Sequence, residues 1–255
     1  MRPAGQNLAR LLGCVLGERD ALRPRVPLVP AALGPQKRDA RPPGGGFAGA
    51  SEDHLTYCTT LRGMSVQAVD LGHGREAMRL ADAAAAASPA AGPRMRAFLV
   101  GQQAHAAAQV GDRVKALAYL GQAEVAMEKA ESRERVFGSY DPSALYYHAS
   151  HVRHELGDVP GAVAAMKESD RLCYDIYRRS RVKERATLAE FQLEMGHLEA
   201  ACATWHDALD EYPLVQSGRI DDRMRRMLKL VRPHLKNSAA RALHERARMI
   251  VPASA

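Results

Sequence analysis

The sequence predicts an all-α protein built as a stack of about five helical hairpins, and three observations carry that expectation. The first is a recurring turn: Gly72, Gly111, Gly157 and Gly196 each follow an apolar residue, and an alanine stands five positions after each, at Ala77, Ala116, Ala162 and Ala201. Those glycines are separated by 39, 46 and 39 residues. The second is helical spacing of apolar residues on both sides of each glycine. The third is composition: hydrophobic residues make up 46% of the chain but aromatics only 5%, with alanine supplying much of the apolar total. That balance favours helices packed closely through small side chains. Each hairpin exposes an apolar face that only its neighbours cover, so the units should stack into an α-solenoid.

The elements follow in order. Residues 1–50 stand apart. Leu8, Leu11, Leu12, Val15 and Leu16 suit one face of a short helix near residues 6–17, while Arg23 to Gly49 is rich in Pro, Gly and Arg and is expected to be disordered. Leu11-Leu12-Gly13-Cys14 resembles a lipoprotein cleavage box, but Gln6, Asn7 and Arg10 interrupt the apolar segment that a signal peptide needs. From Ser51, a suitable cap, a helix should run to Asp70, with its partner over Arg75–Ala87. A second pair spans Pro93–Val110 and Asp112–Ala130, with Val114, Leu117, Leu120 and Met127 on the packing flank. After the long connection 131–140, Asp141-Pro142 starts a helix to Leu156. Asp158-Val159-Pro160 then opens one reaching about Tyr177.

The fourth pair is the most explicit. Leu188, Phe191 and Met195 lead into Gly196, and Leu198, Ala201, Cys202, Trp205, Ala208 and Leu209 share one face until Tyr212-Pro213 stops the helix. A last pair runs from Asp221 or Asp222 to Leu230 and from Asn237 to Ile250. Residues 51–250 thus form one helical repeat domain, with 251–255 as a disordered tail.

The hairpin at Ala189–Pro213, with alanines around a bulky Trp205 and a closing proline, resembles a tetratricopeptide hairpin. The resemblance implies a right-handed α-solenoid of tetratricopeptide-like units. These units run longer than the standard period of about 34 residues by one or more helical turns. A wider resemblance rests on Leu61-Arg-Gly-Met-Ser-Val-Gln-Ala-Val-Asp-Leu-Gly-His-Gly-Arg-Glu-Ala77, Gly138-Ser-Tyr-Asp-Pro142 and Tyr212-Pro-Leu-Val-Gln-Ser-Gly218. From about Leu61 to Arg248 the chain is similar to the C-terminal repeat region of actinobacterial (Streptomyces-type) helix-turn-helix, XRE-like transcriptional regulators. Members of that family carry an N-terminal DNA-binding domain, for which residues 1–50 offer no recognisable two-helix reader. The resemblance implies an interaction module with a regulatory role; a stand-alone scaffold or adaptor with no direct role in transcription is the alternative.

Charge and motifs narrow the chemistry. The net charge of +7 sits at the ends: residues 1–50 carry 8 basic and 3 acidic side chains, residues 219–255 carry 10 and 3, and residues 51–218 carry 18 and 23. A whole-chain argument for nucleic acid is therefore weak, and no specific nucleic-acid binding by this chain alone is expected. No apolar run approaches the ~20 residues of a membrane span. Cys14, Cys58, Cys173 and Cys202 form no CxxC pair, which suits reduced thiols in a cytoplasmic protein. His148, His151 and His154 recur every three residues, but HExxH is absent and six residues rotate His148 away from His154, so a polar face is expected rather than a metal site. No nucleotide-binding or nucleophile motif is present. Neither catalysis nor a cofactor is expected. The basic run Arg178-Arg-Ser-Arg-Val-Lys183 reads as solvated surface, with phosphate or acidic peptide as the alternative.

By the tetratricopeptide resemblance, the first helix of each hairpin lines a concave groove. Its side chains would include His105, Gln109, Tyr147, His151, His154, Lys183, Glu190 and Glu194, suited to a protein or peptide ligand. A homodimer is compatible with the sequence.

Overall fold

The computed structural model describes residues 48–130 and 140–252. The expected helix near residues 6–17, the segment before Ala48, the connection 131–139 and the last three residues lie outside them. Among the described residues the protein is all helical, with α1 (Ala48–Asp70), α2 (Gly74–Ala86), α3 (Pro93–Gln109), α4 (Arg113–Glu128), α5 (Pro142–Glu155), α6 (Val159–Leu172), α7 (Arg178–Glu194), α8 (Leu198–Glu211), α9 (Gly218–Val231) and α10 (Ser238–Ile250). Short 3-10 turns follow α8 at Tyr212–Leu214 and α9 at Arg232–His234, where Pro213 and Pro233 end regular helix.

The four repeated glycines do the same job each time. Gly72, Gly111, Gly157 and Gly196 have φ of 76°, 79°, 82° and 80°, a region that glycine enters without a Cβ penalty. Each turn carries the same pair of hydrogen bonds. The glycine N–H donates three residues back, as Gly72 to the Val69 carbonyl, and the next N–H donates five residues back, as His73 to the Ala68 carbonyl, both within 2.9 Å. This bonding pattern closes a helix and reverses the chain. The alanine five residues on is fully buried in all four hairpins, at Ala77, Ala116, Ala162 and Ala201. A methyl at that point lets the two helices of a pair approach closely.

Four of the helix starts are fixed by side chains. Asp112, Asp141 and Asp158 accept from the N–H groups of Lys115, Ala144 and Gly161, and Asn237 accepts from Ala239 and Ala240. Consecutive helices pair as α1–α2, α3–α4, α5–α6 and α7–α8. Between pairs, α3 packs on α1 and α2, α5 on α3 and α4, and α7 on α6. Helices α9 and α10 lie against α7 and α8 as well as against each other.

Several expectations are corrected. The first helix begins at Ala48, so Ser51 lies within it and not at its start. Helix α6 ends at Leu172, not Tyr177: Cys173 is extended, Tyr177 N–H donates to the Tyr174 carbonyl, and Arg181 pairs with Asp175. A continuous helix would forgo those contacts. Helix α9 starts at Gly218, a few residues ahead of Asp221. On α4 the packing face is Ala116, Leu120, Ala123 and Ala126, whereas Val114 and Leu117 are exposed. At the C-terminus Val251 is buried in the core. No described helix is long and apolar enough to cross a membrane.

Candidate binding face on the odd-numbered helices

Helix α5 carries the centre of the site. Its start is fixed by the Asp141 cap and by Pro142, whose missing N–H costs nothing at that position. Tyr140, just ahead of the cap, is thereby held with its hydroxyl 2.7 Å from His148 Nδ1. His148 Nε2 lies 3.2 Å from an Arg62 guanidinium nitrogen on α1. Guanidinium has no acceptor, so Nε2 must accept; the proton of the neutral ring then sits on Nδ1, which donates to the Tyr140 oxygen. Gly101 on α3 makes room for this pair, because a Cβ there would lie 2.6 Å from both His148 Nδ1 and the Tyr140 oxygen. Arg62 also covers the Phe98 ring at 4.1 Å, and Phe98 meets Tyr140 edge-on at 5.6 Å.

From His148 the row of rings continues along α5. His105 of α3 lies 6.4 Å from His148 and 4.9 Å from His151, centroid to centroid. His151 meets Tyr147 at 4.4 Å, and the Lys183 ammonium of α7 stands 3.8 Å over the Tyr147 ring. At the far end His154 stacks on Phe191 at 4.3 Å and its Nε2 donates to Glu194 at 2.7 Å. The six-residue separation works as geometry demands: His148 faces Tyr140 and α3, His154 faces α7, and His151 touches both sides.

Charge along this row is not carried by the histidines. Burial pushes His105 down to about 4, with Arg62 and Lys183 adding repulsion. Burial holds His148 and His151 well below the ordinary histidine value; Arg62, His105 and Lys183 add repulsion at His148, and His105, Lys183, Arg223 and His148 do so at His151. Those three rings are therefore neutral at pH 7, and the positive charge belongs to Arg62 and Lys183. Neither cation pairs with a carboxylate among the described residues. Among the described residues, Arg62 Nε and His151 Nε2 are buried without a hydrogen-bond partner.

Of the eight residues expected to line a groove, the structure brings His105, Tyr147, His151 and Lys183 into one contiguous row and sets His154 and Glu194 beside each other at its end. The remaining two are tied elsewhere. Gln109 Nε2 donates to the Val69 carbonyl at 2.7 Å, fastening α3 to the end of α1. Glu190 faces Arg223 at 3.6 Å and Arg226 at 3.5 Å, fastening α7 to α9. Sequence reasoning missed Arg62, Phe98, Tyr140 and Phe191, which join the row only through tertiary packing. The basic run is divided: Lys183 belongs to the row, while Arg181 pairs with Asp175 and Glu211.

Glu184, beside Lys183 in sequence, is 4% exposed, and burial raises its carboxyl to about 7 against the opposing pull of Lys183. Among the described residues no set of three His, Cys, Asp or Glu side chains is placed to hold a metal ion. Cys58, Cys173 and Cys202 are free thiols, and burial raises Cys173 to about 12, an unreactive state at neutral pH. No protein-family model matches the chain, and no curated protein matches it.

Proposed function

We propose that the chain is a protein- or peptide-interaction module, a right-handed solenoid of tetratricopeptide-like hairpins related to the repeat regions of bacterial transcriptional regulators. The observation that carries the reading is the row from Arg62 through His148, His105, His151 and Tyr147 to Lys183. It spans four helices, mixes aromatic faces with neutral imidazoles, and ends in two cations that no carboxylate of the described chain neutralises. With His105 and His148 buried beneath it and Tyr147, His151 and Lys183 half-buried at its outer side, the row suits an extended segment that packs against that outer side and places an anionic group near Lys183. The four like turns and their buried alanines support the repeat architecture, since each pair offers the next an equivalent face.

A catalytic role has no comparable support. The histidines are held neutral by burial rather than poised against a nucleophile, and the cysteine thiol of Cys173 is raised rather than activated. The basic C-terminal helices favour capping over nucleic-acid reading. Arg223 and Arg226 face Glu190, Arg225 pairs with Asp222, and Arg246 pairs with Asp210, so much of that charge serves contacts within the chain.

Selection from a random displayed peptide library tests the reading. Enriched peptides should carry acidic residues near an aromatic, and Tyr147→Ala and Lys183→Gln should each weaken them about tenfold or more by calorimetry. Peptides that bind both variants as tightly as the parent would move the binding surface elsewhere.

A further inference from the structure

The half-buried side of the row follows one helix. Tyr147, His151 and His154 stand at i, i+4 and i+7 on α5, so their rings form a strip along its axis. Helix α7 flanks that strip with a charge at each end. The Lys183 ammonium stands 3.8 Å over the Tyr147 ring, and the Glu194 carboxylate lies 2.7 Å from His154 Nε2. Among the described residues Lys183 meets no carboxylate, and Glu194 meets no Lys or Arg. Arg179, exposed and one turn ahead of Lys183 on the same face, extends the positive end. Between the ends, Glu190 is taken up by Arg223 and Arg226 of α9.

These charges run against the helix that carries them. A helix dipole favours acidic groups at the start and basic groups at the end. Helix α7 opens instead on Arg178, Arg179 and Arg181 with no acidic residue in its first turn, and closes on Glu194 with no basic residue in its last. Arg181 is accounted for by Asp175 and Glu211, but Arg179 and Lys183 have no such pairing within the described chain. A ligand charged in the opposite sense would offset the cost at both ends.

We propose that the segment bound on this face is bipolar: an acidic residue at the Lys183 end, a basic residue at the Glu194 end, and an aromatic or apolar side chain between them on the rings of Tyr147 and His151. This deepens the interaction reading above and rests on it. The spacing follows from helix rise. The step from Tyr147 to His154 along α5 covers about 10 Å, and that from Lys183 to Glu194 along α7 about 16 Å. An extended segment advances ~3.3 Å per residue, so its two charges stand about three to five positions apart.

Calorimetry on the full chain tests this with blocked peptides of Gly and Ala that carry one Asp, one Phe and one Lys, the charges about four positions apart and the Phe between them. Moving the Lys next to the Asp should weaken binding about threefold to fivefold, the scale of one exposed ion pair. Replacing the Lys by norleucine should cost as much on the parent chain and less than about twofold on Glu194→Gln. Replacing the Asp by Asn should behave likewise with Lys183→Gln, and both variants should keep the parent's circular dichroism spectrum. A norleucine peptide that binds the parent undiminished, or loses as much on Glu194→Gln, overturns the bipolar segment; binding that still needs the Asp and Lys183 leaves the interaction reading standing. Equal or tighter binding of the peptide with adjacent charges overturns it too. So does the absence of heat from every peptide at about 1 mM, and the library selection then decides the interaction reading on its own.

Discussion

Around Trp205, helices α7 to α10 close over a large apolar interior in which Leu209, Met224, Met227, Val231 and Leu243 are all but fully buried. Along α1, α3 and α5 the interior instead holds Ser65, Gln102, His105 and His148. There, Gln102 Nε2 donates to Ser65 Oγ at 3.0 Å, and that hydroxyl donates to the Ala77 carbonyl at 2.8 Å. Between α5 and α6, Ser143 and Ser169 each donate to the other's carbonyl, at 2.9 and 2.8 Å. The contrast separates two uses of burial. Non-directional apolar contact holds the C-terminal end together, whereas the middle adds to its own apolar cluster hydrogen bonds that orient Gln102, Ser143, His148 and Ser169. A polar interior stabilises less per residue, yet it holds a defined row of groups in place.

The largest test of that contrast is Trp205→Ala. The side chain is fully buried and its indole Nε1 has no hydrogen-bond partner among the described residues, so its contribution is packing. Removing it should cost roughly 3–5 kcal/mol in urea unfolding. A loss below about 1 kcal/mol would mean that the C-terminal interior closes over the gap and is not a packed core.

The middle should reveal itself through pH. The folded chain holds His105, His148 and His151 below the ordinary value of 6.5, so the unfolded chain takes up protons first as pH falls. Stability is full above about pH 6.5 and is lost as pH drops toward the folded value of about 4 for His105. From His105 alone the loss approaches about 3 kcal/mol. His105→Gln, which cannot titrate, should reduce the fall in melting temperature between pH 7 and pH 5 by about a third, His148 and His151 supplying the rest. An unchanged slope would show that the histidine row is hydrated in solution.

These two regions were not equally legible. The glycine turns, the Asp112, Asp141, Asp158 and Asn237 caps, and the face of Trp205 follow from local bonding and one-helix periodicity. Their geometry is decided within a few residues. The packing face of α4 was misjudged because that helix is apolar on both sides, and periodicity alone cannot choose between alanines and larger residues. Arg62 was missed for a different reason: it reaches His148, 86 residues away in sequence, and its role exists only once α1, α3 and α5 are assembled. Gln109 and Glu190 carried the right polarity for a groove but spend it on neighbouring helices.

Glu184 sharpens the comparison from the opposite sign. Its folded value of about 7 lies above its unfolded value of 4.5, so the contribution of its protonated form is full below pH 4.5 and is lost as pH rises through 7. Glu184→Gln keeps the shape and removes the charge. It should raise stability at pH 8 by about 1–3 kcal/mol and change little at pH 5. Equal effects at the two pH values would mean that the carboxyl is solvated in the folded chain and that α7 belongs with the apolar end alone.

The smallest expected effect lies where the row meets solvent. His154 and Glu194 are bonded at 2.7 Å, but their side chains are 30% and 52% exposed, so water competes for both partners. The stack of His154 on Phe191 survives loss of the carboxylate, since it depends on ring contact and not on charge. Glu194→Gln should therefore cost only about 0–1 kcal/mol, and added salt should erase most of the difference. If urea unfolding shows a larger loss that salt does not reduce, the pair is screened from water. The polar row would then be closed at this end, and a ligand would have to enter from the Arg62 side.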